Sequence, residues 1–331
     1  MLITHLRRLP LSRLVPGSRI QGSRIQSSTR TQTRSFYNRN NQTYRRFGSS
    51  GQLPVWQTRG FWYIAGTAGT GCAVYYQAHL EESPTGRRRF INISPKDEEK
   101  LGLAAYMQTM AQYRGQLVPH NTPVSAYVRR VARRVIQAAG LAGDWEVHVI
   151  DSPEQNAFVL PGGKIFVFSG LLRLARDEDG LATVLAHEIA HQYARHSAEK
   201  VSQANALGLL YAVATLFVDP SMAQFGRSMS GLLLELPNSR QCEQEADEIG
   251  LNFMAMACYD PHKAVELWQR MHRAERVAPP QLLNTHPSTA SRIENIRRWI
   301  PQALMKREAA NCPNPDLTRS FFARSWRGGD V

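Results

Sequence analysis

A single stretch of the chain, residues 183–196, contains the pattern His-Glu-x-x-His in an alanine-rich segment without glycine or proline. This composition predicts a helix, and residues four positions apart on a helix lie on the same face. His187 and His191 can therefore offer two imidazoles to one Zn²⁺ ion, while Glu188 can reach the water that attacks a substrate. A core helix can carry this pattern by chance, so the motif indicates a zinc site without establishing it.

An acidic stretch further along the chain, residues 239–251, offers the missing ligand. A hydrolytic zinc site uses three protein ligands and leaves one position open. Glu243 can be the third ligand, and Asp247 lies one helical turn later, where it can accept a hydrogen bond from an imidazole N–H. Taken alone, both acids would fit a solvated helix face. Together with the histidine motif upstream they favour a metal site.

The segments around these motifs predict a mainly α fold with a small β-sheet, an α+β class. Residues 145–150 alternate as a strand, and residues 156–168 read as a hairpin around a Pro-Gly-Gly turn. The hairpin is either an edge that holds the substrate as an added strand or a plain piece of core sheet. Capping and acidic residues predict helices over residues 94–117, 123–140, 177–196, 238–258 and 260–276.

A further histidine, His286, lies in a loop just before a predicted helix, where the loop can aim it at a cleft. It can donate a hydrogen bond to the developing oxyanion of a hydrolytic reaction. A lone loop histidine can equally be a capping or packing residue. Both roles for His286 stay open from the sequence.

Most of the formal net charge of +13 on 331 residues lies at the beginning of the chain. The first 80 residues hold eleven arginines and no lysine, aspartate or glutamate, which leaves the other 251 residues nearly neutral. The body therefore gives no argument for nucleic-acid binding. Residues 1–50, arginine-rich and free of acids, are typical of a mitochondrial presequence, although a disordered basic tail has the same composition.

Two uncharged segments could contact a membrane. After a linker at 51–59, residues 60–80 carry no formal charge and have aromatic residues at both ends, as a transmembrane helix would. A glycine-rich buried hairpin or linker is the alternative for that segment. Residues 201–218 are also uncharged and predict a buried or membrane-dipping helix.

The order of these segments predicts an orientation for the body. If residues 60–80 stop transfer after the presequence has entered the matrix, the body (81–310) and a C-terminal tail (311–331) lie in the intermembrane space. That compartment permits a disulfide between Cys258 and Cys312. Cys242 is expected to be a buried packing residue. No C-x-x-C pair is present, so the sequence gives no indication of a thiolate zinc site.

Four blocks of the chain resemble the family of integral-membrane zinc metallopeptidases that includes HtpX and the CAAX prenyl proteases. The blocks are Asn156-Ala157-Phe158 with Pro161-Gly162-Gly163, Ala186 through His191 with Ala194-Arg195-His196-Ser197, Glu243 through Asp247, and Thr285-His286-Pro287-Ser288 with Arg292-Ile293. The resemblance covers roughly residues 90–310, and the joint order of the blocks is more specific than any one motif. The arginine-rich start and the hydrophobic segment are similar to those of mitochondrial inner-membrane members.

The resemblance implies a zincin-type, minigluzincin-like metallopeptidase domain with one Zn²⁺ per chain, preceded by one transmembrane helix. It implies that His187, His191 and Glu243 are the zinc ligands and that Glu188 is the catalytic base. The expected activity is hydrolysis of peptide bonds in inner-membrane proteins during quality control or stress. Protein substrates and the lipid bilayer are the expected partners, a homo-oligomer is compatible with the sequence, and no nucleic-acid partner is expected.

A function of another class remains as the alternative. The chain could be a membrane-tethered scaffold or chaperone-like protein whose zinc is only structural. A structural zinc would normally have its fourth position closed by a further cysteine or histidine. The number of protein ligands at the site therefore separates the two interpretations.

Overall fold

Residues 57–215, 240–275, 282, 286 and 290–313 are described by the structure, a computed structural model. The chain divides into two compact units, residues 1–62 and 63–331, and only residues 57–62 of the first are described. The predicted presequence, most of the predicted linker and tail, and the end of the predicted 201–218 helix lie outside the described residues.

Within these ranges the chain forms nine helices and five strands. The helices are α1 (Arg59–Ala78), α2 (Pro95–Gln112), α3 (Pro123–Ala138), α4 (Ser169–Ala175), α5 (Glu178–Tyr193), α6 (His196–Thr215), α7 (Arg240–Met256), α8 (His262–Glu275) and α9 (Ala290–Ala309). The strands are β1 (Leu80–Glu82), β2 (Arg88–Phe90), β3 (Glu146–Ile150), β4 (Ala157–Leu160) and β5 (Lys164–Phe168). The predicted mainly helical fold with a small sheet is confirmed.

The main sheet has three strands in the order β3-β5-β4. Strand β3 runs parallel to β5, whereas β4 runs antiparallel to it, as the predicted hairpin requires. Gly162 and Gly163 in the connecting turn have φ angles of 87° and 76°, a region that favours glycine. The strand order places β4 at an edge of the sheet that the described residues form. Strands β1 and β2 pair separately as a small antiparallel hairpin.

Helix α5 lies at the centre of the fold. All residues of Gly180–His191 are buried, because α5 packs against α3, α7, α8 and β4. Asp177 caps the helix by accepting a hydrogen bond from the N–H three residues later, at 2.8 Å. Helix α3 turns an apolar face with helical spacing towards the core, formed by Val128, Val131 and Val135. Each such buried side chain contributes about 1.5–3 kcal/mol of stability.

Helices α2 and α3 both end earlier than predicted. Helix α2 ends at Gln112 instead of near Leu117, because the following chain pairs with β3: the N–H of Val118 donates to the carbonyl of Val149 at 2.8 Å. Helix α3 ends at Ala138, two residues before Gly140, which has a φ of 65°. Glycine in this region commonly follows the end of a helix.

The predicted membrane segment at 60–80 forms helix α1, and none of its side chains is buried. Among the described helices, none combines the length and the apolarity needed to cross a membrane. Glycine and threonine residues in the middle of α1 keep its hydropathy low. Residues 201–218 were predicted to form a buried or membrane-dipping helix. Leu207 and Leu209 are exposed on the described part of α6, so the segment that carries them is not buried, and the membrane-dipping alternative stays a prediction.

The cysteines of the body follow the sequence-based expectation. A disulfide joins Cys258, just after α7, to Cys312, just after α9. Cys242 is buried near the start of α7, as expected. Its sulfur lies 3.7 Å from a carboxylate oxygen of Glu199, so its surroundings are polar as well as apolar.

Candidate metal centre and active site

Two successive turns of α5 aim the motif histidines at one point. Nε2 of His187 lies 3.1 Å from Nε2 of His191, so the two ring nitrogens converge as the four-residue spacing predicts. Both side chains are buried in the middle of the fold. The arrangement leaves Nε2 of each ring available to a shared ion.

Helix α7 brings a carboxylate to the same point. Oε1 of Glu243 lies 3.4 Å from Nε2 of His191, and Oε2 lies 3.5 Å from Nε2 of His187. The close approach of the helices depends on Gly250, since a Cβ there would lie 2.9 Å from the backbone nitrogen of His187. The predicted third ligand therefore lies beside the two predicted histidines.

His286 joins the same group from the segment that precedes α9. Its Nδ1 lies 2.8 Å from Oε1 of Glu243 and 3.3 Å from Nε2 of His187. Ligand atoms of His187, His191, Glu243 and His286 all lie within 4.8 Å of one another. The sequence predicted three converging ligands, and the structure brings four side chains together.

Glu188 lies at the edge of this group. Its Oε1 is 3.4 Å from Nε2 of His286, and the side chain is buried. Within the described residues this oxygen accepts no hydrogen bond. Burial raises the pKa of Glu188, although the positive charge of neighbouring histidines opposes the shift. Such a buried oxygen can accept a hydrogen bond from a water molecule or a substrate that binds at the site.

The ion pair of Asp247 and Arg292 lies on the Nδ1 side of His187, whereas Nε2 of this ring faces the other candidate ligands. Nδ1 of His187 lies 3.0 Å from Oδ1 of Asp247, at the place predicted for a residue that fixes the tautomer. Arg292 donates two hydrogen bonds of 2.7 Å to the same carboxylate. It also lies 3.0 Å from Glu243 and stacks 3.8 Å from the ring centre of Trp268. These contacts hold His187 and Glu243 in a fixed relation.

The charges of the site favour a bound cation. Burial alone would lower the pKa of His187, but the carboxylates of Asp247 and Glu243 raise it to about 9. Burial favours the protonated form of Glu243, yet His286, His187 and His191 hold its pKa well below its usual range. Burial lowers the pKa of His191 well below its ordinary value, so this ring is neutral and can act as a ligand. The carboxylates that stabilise a proton on His187 would equally stabilise a metal ion.

The donor set fits zinc. Imidazole nitrogens and one carboxylate are the ligands that Zn²⁺ takes in many hydrolytic sites. The buried carboxylate oxygen of Glu188, which accepts no hydrogen bond from the described residues, lies beside them. The site therefore has both the ligands for a metal and an acidic side chain next to it.

Comparison with known proteins identifies the family. The profile of peptidase family M48 matches residues 123–300. The chain belongs to peptidase family M48. The matched range includes α3 through most of α9, and therefore all the side chains of the candidate centre.

Curated relatives of this M48 peptidase come from fungi, animals, a plant and bacteria. It is 42% identical to mitochondrial metalloendopeptidase OMA1 of Schizosaccharomyces pombe, over 91% of this chain and 90% of that protein. The Saccharomyces cerevisiae protein of that name is 37% identical over 76% of this chain and 79% of its own length. The human relative, metalloendopeptidase OMA1, mitochondrial, is 35% identical over 73% of this chain and 51% of its own length.

These matches establish the class of enzyme. The M48 peptidase is a zinc-dependent metalloendopeptidase that acts on protein substrates, as the sequence predicted. The names of its relatives support a mitochondrial location.

Sequence reasoning assigned no role to several side chains that the structure brings to the centre of the M48 peptidase. Arg292 and Trp268 lie behind the ligands, and His196 lies against His191. Two signals were present in the sequence: His196 and Arg292 both belong to blocks that resemble the family. Their contacts join segments far apart in the chain, so spacing alone could not reveal them.

Proposed function

We propose that His187, His191 and Glu243 hold the zinc ion of this peptidase and that Glu188 is its general base. The observation that carries the proposal is the convergence of the three candidate ligands in one buried site, with the Glu188 carboxylate beside them. Asp247 is proposed to fix the tautomer of His187 through the contact at its Nδ1.

The chemistry follows from the positions of these side chains. When bound, zinc would lower the pKa of a water molecule and polarise the scissile carbonyl. Glu188 would accept a proton from the attacking water and deliver it to the leaving amine. Burial raises the pKa of Glu188, which brings this carboxylate closer to the basicity that proton transfer near neutral pH requires.

Strand β4 is the proposed docking edge for substrate backbone. In an antiparallel pair, backbone groups alternate between facing the partner strand and facing away. The N–H of Phe168 donates to the carbonyl of Asn156, so the backbone groups of Ala157 and Val159 face away from β5. An extended substrate added at this edge would be recognised by its backbone more than by its sequence.

His286 has two candidate roles that the geometry separates. Its Nε2 faces Glu188, where it could donate to a developing oxyanion, whereas its Nδ1 faces Glu243 and could bind the metal as a fourth ligand. The fourth-ligand role would favour the alternative of a structural zinc in a scaffold protein. The oxyanion role belongs with a hydrolytic site.

A His286→Ala variant distinguishes these roles. If His286 stabilises the oxyanion, kcat should fall about 10²- to 10³-fold while zinc dissociates at the parental rate. If His286 is a fourth ligand of a structural zinc, the variant should lose zinc faster, and neither the parent nor the variant should cleave protein. A parent that binds zinc and cleaves no protein, in the membrane or in detergent, would favour the scaffold.

The proposed location is the mitochondrial inner membrane, with inner-membrane proteins as substrates. Residues 1–50 are proposed as the presequence, 60–80 as the membrane segment and 81–310 as a peptidase domain that faces the intermembrane space. The exposed apolar side chains of Ile64, Val74 and Tyr76 on α1 support contact with a bilayer. A homo-oligomer stays a prediction.

Fractionation of mitochondria tests the location. We expect the full chain to stay in the membrane pellet after alkaline carbonate extraction and a variant lacking residues 60–80 to be released. External protease should digest the body only after the outer membrane is ruptured. Release of the full chain by carbonate, or a body protected in mitoplasts, would contradict the proposed arrangement.

A further inference from the structure

A second imidazole lies directly behind the candidate ligand His191. Nδ1 of His196 is 2.8 Å from Nδ1 of His191, and both side chains are buried. The chain can make this contact because α5 ends at Tyr193 and Arg195 has a φ of 53°, which turns the chain back into α6. His196, the first residue of α6, therefore faces the helix that carries the motif histidines.

The contact continues to a buried carboxylate. Nε2 of His196 lies 3.2 Å from Oε2 of Glu245, which stands on α7 two residues after Glu243. Glu245 is itself fixed by the β1–β2 hairpin. Thr85 donates to its Oε1 at 2.9 Å, and Arg87 donates to its Oε2 from two nitrogens, at 3.2 and 2.9 Å.

Only one placement of protons gives every donor an acceptor in the series of contacts from His191 through His196 to Glu245. Nε2 of His191 faces His187 and Glu243, so it must carry a lone pair if His191 is a ligand. Its Nδ1 then carries the hydrogen and donates to Nδ1 of His196. His196 must in turn carry its hydrogen on Nε2, where the Glu245 carboxylate accepts it.

We infer that His196, Glu245 and Arg87 form a relay of hydrogen bonds that fixes the ring orientation and the tautomer of His191. The inference rests on the proposed role of His191 as a zinc ligand. His196 is a positioning residue in this arrangement, since it acts on the metal only through His191. The relay matches the contact on the other side of the site, where Asp247 and Arg292 stand behind His187.

A second metal site is the competing explanation for this cluster. His196, Glu199 and Cys242 place potential ligand atoms within 4.8 Å of one another. The guanidinium of Arg87 already donates to both oxygens of Glu199, at 2.8 and 2.7 Å, as well as to Glu245. A cation placed there would meet this fixed positive charge. The cluster therefore fits a hydrogen-bond relay better than an additional metal ion.

The relay also makes the β1–β2 hairpin a part of the metal centre. Arg87 lies in the turn between β1 and β2, whereas its partners Glu199 and Glu245 lie more than a hundred residues later. The hairpin thus holds α6 and α7 together through one guanidinium. A substitution in the hairpin that displaces Arg87 should therefore alter the ring orientation of His191, because Glu245 and His196 connect the two side chains by hydrogen bonds.

The experiment measures zinc release from the full chain purified in detergent, with excess chromogenic chelator. We expect His196→Phe, which keeps a ring but can neither accept nor donate, to release zinc about 10- to 100-fold faster than the parent. His196→Gln offers an acceptor and a donor and should recover most of the parental rate. His262→Gln, on an exposed histidine at the start of α8, is the matched control and should change nothing.

A cobalt-substituted protein gives a second readout. The visible absorption of bound Co²⁺ reports ligand geometry, so His196→Phe should shift the spectrum and His196→Gln should restore it. A purely structural His196 would lower the stability of the metal-free protein and leave both the release rate and the spectrum unchanged, which would overturn the relay. If His196→Phe does not fold, Glu245→Gln decides by the same two measurements, with a change at the lower end of the range expected.

His191→Ala separates failure of the relay from failure of the proposed function. If His191→Ala releases zinc at the parental rate, His191 is not a ligand and the proposed function is wrong at this residue. If His191→Ala loses zinc while His196→Phe behaves as the parent, the ligand assignment stands and the relay alone is wrong.

Discussion

At the scale of single residues, Arg292 links two buried carboxylates of the metal centre. It donates two hydrogen bonds to Asp247 and lies 3.0 Å from Glu243. Burial favours the neutral form of Asp247, yet Arg292 and His187 lower its pKa, so this carboxylate stays charged behind His187. Removing the guanidinium would leave the buried charge of Asp247 without its main partner and would take one positive neighbour from Glu243.

Replacement of Arg292 should therefore affect both stability and metal binding. We expect Arg292→Gln to lower the free energy of unfolding of the metal-free protein by about 3–5 kcal/mol. Arg292→Lys should lose less, because it keeps the charge but not the two parallel hydrogen bonds. Chemical denaturation of metal-free and zinc-loaded protein measures both effects.

Arg297 provides the control on the same helix. Its side chain is exposed, so Arg297→Gln should leave stability and zinc release unchanged. Equal effects of the two glutamine substitutions would show that Arg292 has no special role at the centre.

The residues of the site differ in how far the sequence could predict them. His187, Glu188 and His191 follow from local spacing, because a helix places them at known positions. Glu243 required a second motif and the expectation that zinc needs a third ligand. The contact of Arg87 with Glu245 spans 158 residues of chain, and no local pattern encodes such a pairing. Prediction therefore found the side chains that converge at the candidate centre, together with Asp247 behind His187. It missed the supporting contacts of Arg292, His196 and Arg87.

At the scale of secondary-structure elements, the metal centre depends on how closely α5 and α7 approach. A Cβ at position 250 would lie 2.9 Å from the nitrogen of His187 and 3.0 Å from the carbonyl carbon of Ala186. These are backbone atoms of a buried helix, so they cannot move aside as a flexible side chain would. The two helices carry the candidate ligands, and a wider spacing would separate Glu243 from the histidines.

Gly250→Ala should accordingly destabilise the fold. We expect the extra methyl group to cost about 1–3 kcal/mol of unfolding free energy and to speed zinc release. Chemical denaturation and chelator-induced zinc release provide the two measurements.

Gly208→Ala on α6 is the matched control, because a Cβ there meets nothing within 4 Å. Alanine at that exposed helical position should be neutral or stabilise the protein by up to about 1 kcal/mol. If the two variants have the same stability, the close packing at Gly250 does not constrain the helices.

The disulfide connects the ends of α7 and α9, the two helices that carry Glu243 and Arg292 of the metal centre. Cys258 follows α7, and Cys312 follows α9. The bond closes a loop across a sequence separation of 54 residues. Loop closure of this length restricts the unfolded chain and stabilises the folded one.

Reduction of the Cys258–Cys312 disulfide should lower the free energy of unfolding, and loss of this one bond should account for the whole effect. We expect a reductant to remove about 2–4 kcal/mol from the unfolding free energy of the parent. Cys312→Ser should show the lower value with or without reductant. Cys72→Ser, at an exposed cysteine of α1, should keep the parental response. A reductant effect that persists in Cys312→Ser would assign the stabilisation to something other than this disulfide.

The elements themselves show where sequence patterns stop being informative. Capping residues predicted the starts of α2 and α5, because Ser94 and Asp177 make local hydrogen bonds. The end of α2 was predicted too late, since the pairing of Val118 with β3 is a contact between distant segments. The central position of β5 and its parallel pairing with β3 were likewise beyond a local pattern.

At the scale of the whole molecule, charge and chemistry are segregated along the chain. The eleven arginines of the first 80 residues account for nearly all of the net charge of +13, and the peptidase body that follows is almost neutral. The family match begins at residue 123, well after this basic start. Such segregation agrees with a targeting and membrane-proximal beginning and a separate catalytic body.

The central claim, that this body cleaves peptide bonds with Glu188 as base at a zinc centre, has one direct test. Zinc content and cleavage of an unfolded model protein are measured for the purified full chain and for Glu188→Gln. We expect both proteins to hold one zinc per chain, and the variant to lose about 10²- to 10⁴-fold in kcat.

Glu178→Gln on the same helix, whose carboxylate pairs with Arg130 at the surface, should cleave like the parent. Undiminished cleavage by the zinc-loaded Glu188→Gln protein would contradict the account.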